Sequence, residues 1–179
     1  MNVTRWPVVL YALVDTMRAM TGFRSPGADA SESLVLVLDG PEWEMTADTG
    51  DVYLTVGGVI DDETTSGDAH QTLAVMGTRA RDEDGTVWCQ AVAQLGGVLF
   101  DDGGLAVSVP QETWRTLTTT CFAIVGAVET ACRVDPSLGI TGTPFIVCEI
   151  GVVQAPHRYF TDTGAVVSVV FGIDYRARI

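Results

Sequence analysis

The stretch Val166-Val167-Ser168-Val169-Val170-Phe171-Gly172-Ile173-Asp174-Tyr175-Arg176 decides the fold. It alternates with period two. Val167, Val169, Phe171, Ile173 and Tyr175 fall on one face of a strand, and Ser168, Val170, Gly172, Asp174 and Arg176 on the other. Upstream, Phe145 to Gln154 is apolar and β-rich, and Ala155-Pro156 breaks it. The strand rhythm runs on to Ile179, from which we expect a compact building block.

Before these strands the period changes to that of a helix. Trp114, Leu117, Cys121, Ile124, Val125, Val128 and Cys132 form an apolar stripe, with Arg115, Thr119, Glu129 and Arg133 opposite. Ser108-Val109-Pro110-Gln111 has the spacing of a capping box, and Pro136 ends the helix because the residue before a proline resists α geometry. Glu129 and Arg133 are spaced as an i,i+4 pair.

Working toward the start of the chain, Arg81-Asp82-Glu83-Asp84-Gly85 reads as the tip of a hairpin spanning Gln71 to Leu95, because Asp-Gly takes positive φ readily. Asp61 to His70 reads as an acidic loop. Val52 to Val56 is a half-buried strand, followed by Gly57-Gly58, a bulge or a close approach. Leu34 to Leu38 is a strand buried on both faces. Pro7 to Met20 is a helix capped by Thr4, with Trp6, Val9, Leu10, Leu13, Met17 and Met20 inward. The helices are too few and too clustered for a doubly wound sheet. The expected fold is therefore a single α+β domain over residues 1–179, with a mixed or antiparallel sheet of about five to six strands, two helices packed on it and a protruding β-hairpin.

Composition narrows the function. A hydrophobic content of 47% argues against disorder, no continuous apolar run reaches the length of a membrane span, and the N-terminal stretch makes a poor signal peptide. We expect a soluble, non-exported protein. All 10 bases are arginine, which excludes a lysine nucleophile, Schiff base or P-loop lysine. A net charge of −13 without a basic cluster is unsuited to gripping nucleic acid. Cys89, Cys121, Cys132 and Cys148 contain no Cys-x-x-Cys pair. Cys121 and Cys132 lie about 16 Å apart along one helix, so we expect free buried thiols.

Catalytic signals are weak. Asp61, Asp62, Glu63, Asp68 and His70 form the best metal candidate, but no Glu closes an EF-hand loop at its twelfth position. His70 and His157 lack a Gly-x-Ser-x-Gly elbow, and the glycine pairs form no dinucleotide fingerprint. We expect no enzyme, catalytic residue, metal or cofactor.

The pattern as a whole resembles the tail terminator proteins of long-tailed bacteriophages, particularly the actinophage type. The resemblance rests on the helix end Ala127-Val128-Glu129-Thr130-Ala131-Cys132-Arg133-Val134-Asp135-Pro136-Ser137-Leu138-Gly139 and the early strand Leu36-Val37-Leu38-Asp39-Gly40-Pro41. The segment Arg79-Ala80-Arg81-Asp82-Glu83-Asp84-Gly85 and the end Ala177-Arg178-Ile179 complete it. It implies a ring, typically of six copies, in the virion neck and in the host cytoplasm during assembly. That ring stops growth of the tail tube and joins it to the head connector or stopper protein, with no membrane involved. DNA would slide through an acidic channel without specific binding. Subunit or partner contacts are expected at Asp61, Asp62, Glu63, His70, Arg79, Arg81, Asp82, Glu83 and Asp84. Other readings are a stopper or tube protein, or a small metal-dependent hydrolase using Asp61, Asp62, Asp68 and His70.

Overall fold

A computed structural model describes residues 6–26, 35–40, 52–57, 59–60, 63–64, 66–70, 82–96, 109–141, 145–161 and 164–178. Along the chain these form α1 (Trp6–Arg18), β1 (Phe23–Arg24), β2 (Val35–Asp39), β3 (Val52–Val56), β4 (Val59–Ile60), β5 (Glu63–Thr64), β6 (Ser66–His70) and β7 (Asp82–Gly96). α2 (Gln111–Val134), β8 (Phe145–Val153), β9 (His157–Thr161) and β10 (Gly164–Arg178) follow. The fold is α+β.

The main sheet has eight strands in the order β1-β2-β3-β7-β10-β8, with β6 also beside β7 and β9 also beside β10. β1, β2 and β3 run parallel, and the remaining pairings are antiparallel. Its spine is a pair of 15-residue strands, β7 and β10, matched from Gly96↔Gly164 to Asp82↔Arg178. At about 3.3 Å per residue that ladder is about 50 Å long.

α2 lies across β7, β10 and β8, while α1 covers β1, β2 and β3. The predicted stripe is the buried one: Leu117, Cys121, Ile124, Val125, Val128 and Cys132 face the sheet. They meet Val87, Cys89, Ala91, Val167, Val169, Phe171 and Ile173 in one core. From α1, Val9, Leu10, Leu13, Val14 and Met17 join it. The alternate strand positions Leu36, Leu38, Val92, Val166 and Val170 are also buried, so the middle of the sheet is shielded on both faces. By length and composition α2 could cross a membrane, but its apolar stripe is engaged with the sheet.

The ends of α2 have local causes. Pro110, not Ser108, holds the N-cap position, and no side chain caps it. Its carbonyl accepts the Thr113 N–H at 3.0 Å and the Trp114 N–H at 3.5 Å, and Gln111 and Glu112 before them are exposed. Ser108 itself lies outside the described residues, as do Thr4 and 71–81. At the other end Asp135 is extended at φ −135° before Pro136. Its carboxylate accepts from Ser137 N (3.0 Å), Ser137 Oγ (2.6 Å) and Gly139 N (2.7 Å). The Ser137 hydroxyl, with these amides, holds the Asp135 carboxyl below its ordinary value. Arg133 pairs with Glu129 at 2.6 Å. Most polar members of the Glu129–Gly139 string thus have a structural task within the string.

Two expectations are corrected. The expected turn does not fall on residues 82–85: Asp82, Glu83, Asp84 and Gly85 are inside β7, paired to β6 on one side and β10 on the other. Two ladders of hydrogen bonds override the turn preference of Asp-Gly. The Asp61–His70 segment is not simply a loop, because β5 and β6 lie within it. Gly57, in contrast, marks a close approach as expected. It has φ +82°, and a Cβ there would lie 2.6 Å from Leu10 Cδ1 of α1.

Candidate functional site

Where β7, β10 and β8 run side by side, Asp84, Thr86, Val147, Glu149, Asp174 and Arg176 line a cleft of about 440 Å³. Strand register assembles it in two rows: Thr86, Asp174 and Glu149 stand across from one another, as do Asp84, Arg176 and Val147. These are the alternate positions to Val87, Ile173 and Tyr175, so the cleft opens on the face away from α2.

A bulge sets its shape. The β8–β10 register shifts between Gly172 and Ile173, leaving Gly151 without a partner. The Asp174 carboxylate lies against Gly151, where any Cβ would collide with it. Thr86 Oγ1 donates to Asp174 Oδ1 at 2.6 Å, fixing that carboxylate from the other side. Among the described residues Asp84, Glu149 and Arg176 form no ion pair. Three carboxylates against one guanidinium make the cleft acidic. Its chemistry is attraction of a cationic group; no hydroxyl or thiol is paired there with a histidine base. Among the described residues no group of three or more His, Cys, Asp or Glu is arranged to hold a metal.

Strand alternation separates the acidic run that sequence reasoning treated as one tip. Asp84 joins the cleft. Glu83 lies on the opposite face at 0% exposure and accepts a hydrogen bond from the Tyr175 hydroxyl at 3.1 Å, so it presents no surface on this chain. Burial, then the neighbouring Glu83, raises the Tyr175 phenol well above its ordinary value. Asp82 stands opposite His70 of β6 and Arg178 of β10, and Asp68 stands opposite Asp84. Glu63 pairs with Ile60 in the small β4–β5 ladder. Asp61, Asp62, Arg79 and Arg81 lie outside the described residues.

All four cysteines are free and buried. Burial raises the thiols from 9.0 to about 11 for Cys121 and Cys132 and about 12 for Cys148, with Cys89 higher still. None supplies a thiolate nucleophile near neutral pH. The same shifts set an alkaline limit. A raised folded value favours the neutral thiol, so the contribution is complete below pH 9, where unfolded thiols begin to ionise. It is lost progressively as pH climbs to about 11–12. The melting temperature should hold up to pH 9, then fall steeply and reversibly. Unchanged melting from pH 9 to 11 would contradict the burial of these thiols.

A second surface was not visible in the sequence. Among the described residues several large hydrophobics are substantially exposed, and four of them, Leu95, Phe122, Val153 and Phe160, belong to α2 or to the sheet face that it covers. Leu95, Ala165 and Phe160 form one row across β7, β10 and β9. Phe160 meets Trp114 of α2 edge-on at 5.4 Å, and Arg158 reaches Thr118 Oγ1 at 3.4 Å. Phe122 is one turn beyond Thr118 on the same helix face. Val153 ends β8 beside Phe171. The α2 threonines do not make this shoulder polar, because Thr116, Thr118 and Thr120 donate their hydroxyls to carbonyls four residues back. The aromatic β-formers Tyr159 and Phe160 were the available signal for β9, obscured by Pro156.

No protein-family model matches the chain, and no curated protein matches it.

Proposed function

We propose that this chain is a structural subunit of a bacteriophage virion: a tail terminator, whose ring of about six copies ends tail-tube growth and then joins the tube to the head connector. The observation that carries the assembly reading is the shoulder formed by α2, β8 and β9. No charged residue lies between Arg115 and Glu129 or between Glu149 and Arg158, on a chain whose net charge is −13. A partly apolar surface with long uncharged runs, on so acidic a chain, is where a protein neighbour desolvates at least cost. The resemblance of the sequence to tail terminators supplies the particular role, and the net negative charge is compatible with DNA sliding past without being held.

A phage with a stop codon early in this gene should accumulate filled heads beside unattached tubes of excessive length, seen by electron microscopy. Tubes of normal length would overturn the terminator role. If heads were also unjoined, a stopper on the head side would be the better assignment.

A further inference from the structure

The shoulder and the cleft complement each other. Arg115 and Arg158 are both exposed beside Trp114, Phe122 and Phe160, and among the described residues neither has a carboxylate partner. The cleft holds Asp84, Glu149 and Asp174 against Arg176 alone. The two surfaces cannot meet within one molecule. Arg158 is beside Val167 on the helix side of β10, while the cleft is at Asp174 on the other side. Seven residues of extended chain separate them by about 23 Å.

We propose that the shoulder of one copy docks into the acidic cleft of a second copy, Arg158 and Arg115 approaching Glu149 and Asp84 while Phe160 and Phe122 are covered. The occupant is a second copy rather than nucleic acid, because the cleft is acidic and the shoulder is mainly apolar with only two arginines. The contact joins two different surfaces, so it is heterologous, and each bound copy still presents one free shoulder and one free cleft. Free carboxylates and free guanidiniums on one chain explain how molecules of charge −13 overcome mutual repulsion at this place. The inference deepens the assembly reading and rests on it only in requiring self-association.

Charge exchange tests it. Wild type, Arg158→Glu, Glu149→Arg and an equimolar mixture of the two variants are compared by sedimentation and light scattering at low salt. Both positions are exposed, so melting temperatures should match wild type. Wild type should self-associate. Each variant alone sets like charges together and should lose roughly 30-fold or more in association constant. In the mixture every junction again pairs opposite charges, and association should return to within a few-fold of wild type. A monomeric wild type, a variant that associates as wild type does, or a mixture as dissociated as its components would each overturn the contact. Wild-type assembly with unimpaired variants would discard this contact and leave the ring standing. Recovery in the mixture alongside normal tubes in the stop-codon phage would keep the contact and discard the terminator role.

Discussion

An Ile124→Asp chain is expected to lose its folded state under conditions where the parent is soluble and monodisperse. Ile124 is 3% exposed and sits in the middle of the α2 stripe, among side chains that include Cys121, Val125 and Val128. A carboxylate there has no cation to meet: Arg115 and Arg133 project from exposed positions on the helix. Burying it unpaired costs several kcal/mol, a large share of the roughly 5–15 kcal/mol that holds a domain together. The control is Thr119→Asp, on the exposed side of the same helix, which should stay within about 0.5 kcal/mol of the parent. Thermal melting and soluble yield report both. An Ile124→Asp protein that melts with the parent would mean that α2 does not pack on the sheet through this stripe.

The contrast between Ile124 and Thr119 explains what could be read directly. α2 is buried on one side and wet on the other, so its burial leaves a period of 3.6 in the sequence. The run Leu36-Val37-Leu38 is buried at every position and shows no period, which is how a strand shielded on both faces appears. Misreading began where local chemistry and tertiary pairing disagree. Asp84-Gly85 has the composition of a turn, yet it is held extended between β6 and β10. The cleft was beyond reach for a related reason. Asp84, Glu149 and Asp174 are far apart in the chain and become neighbours only through strand register, and a bulge at Gly151 that nothing in the sequence marks determines where Asp174 points. The shoulder was hidden because exposure of Phe122 and Phe160 is a property of the finished surface. Glu83 is the sharpest case: its acidic neighbours suggested a solvated tip, whereas β7 carries it to the buried face to meet Tyr175.

Inserting Gly-Ser-Gly-Ser between Asp84 and Gly85 should be severely destabilising. At an exposed hairpin tip the same insertion would cost under about 1 kcal/mol, since lengthening a loop adds closure entropy slowly. Inside β7 it does something different. Asp82, Glu83 and Asp84 lose register with Arg178, Ala177 and Arg176 on one side and with His70, Ala69 and Asp68 on the other. Each ladder hydrogen bond contributes about 0.5–1.5 kcal/mol, and separating Glu83 from the Tyr175 hydroxyl adds about 1–3 kcal/mol for a buried polar group deprived of that bond. Even partial rescue by looping out leaves a loss of about 3 kcal/mol or more, which lowers the melting temperature by about 6–12 °C for a domain of this size. A drop of less than about 2 °C would return Asp84-Gly85 to a hairpin tip. It would also dissolve the acidic cleft, whose Asp84 and Thr86 keep their places opposite Arg176 and Asp174 only while β7 runs unbroken through this point.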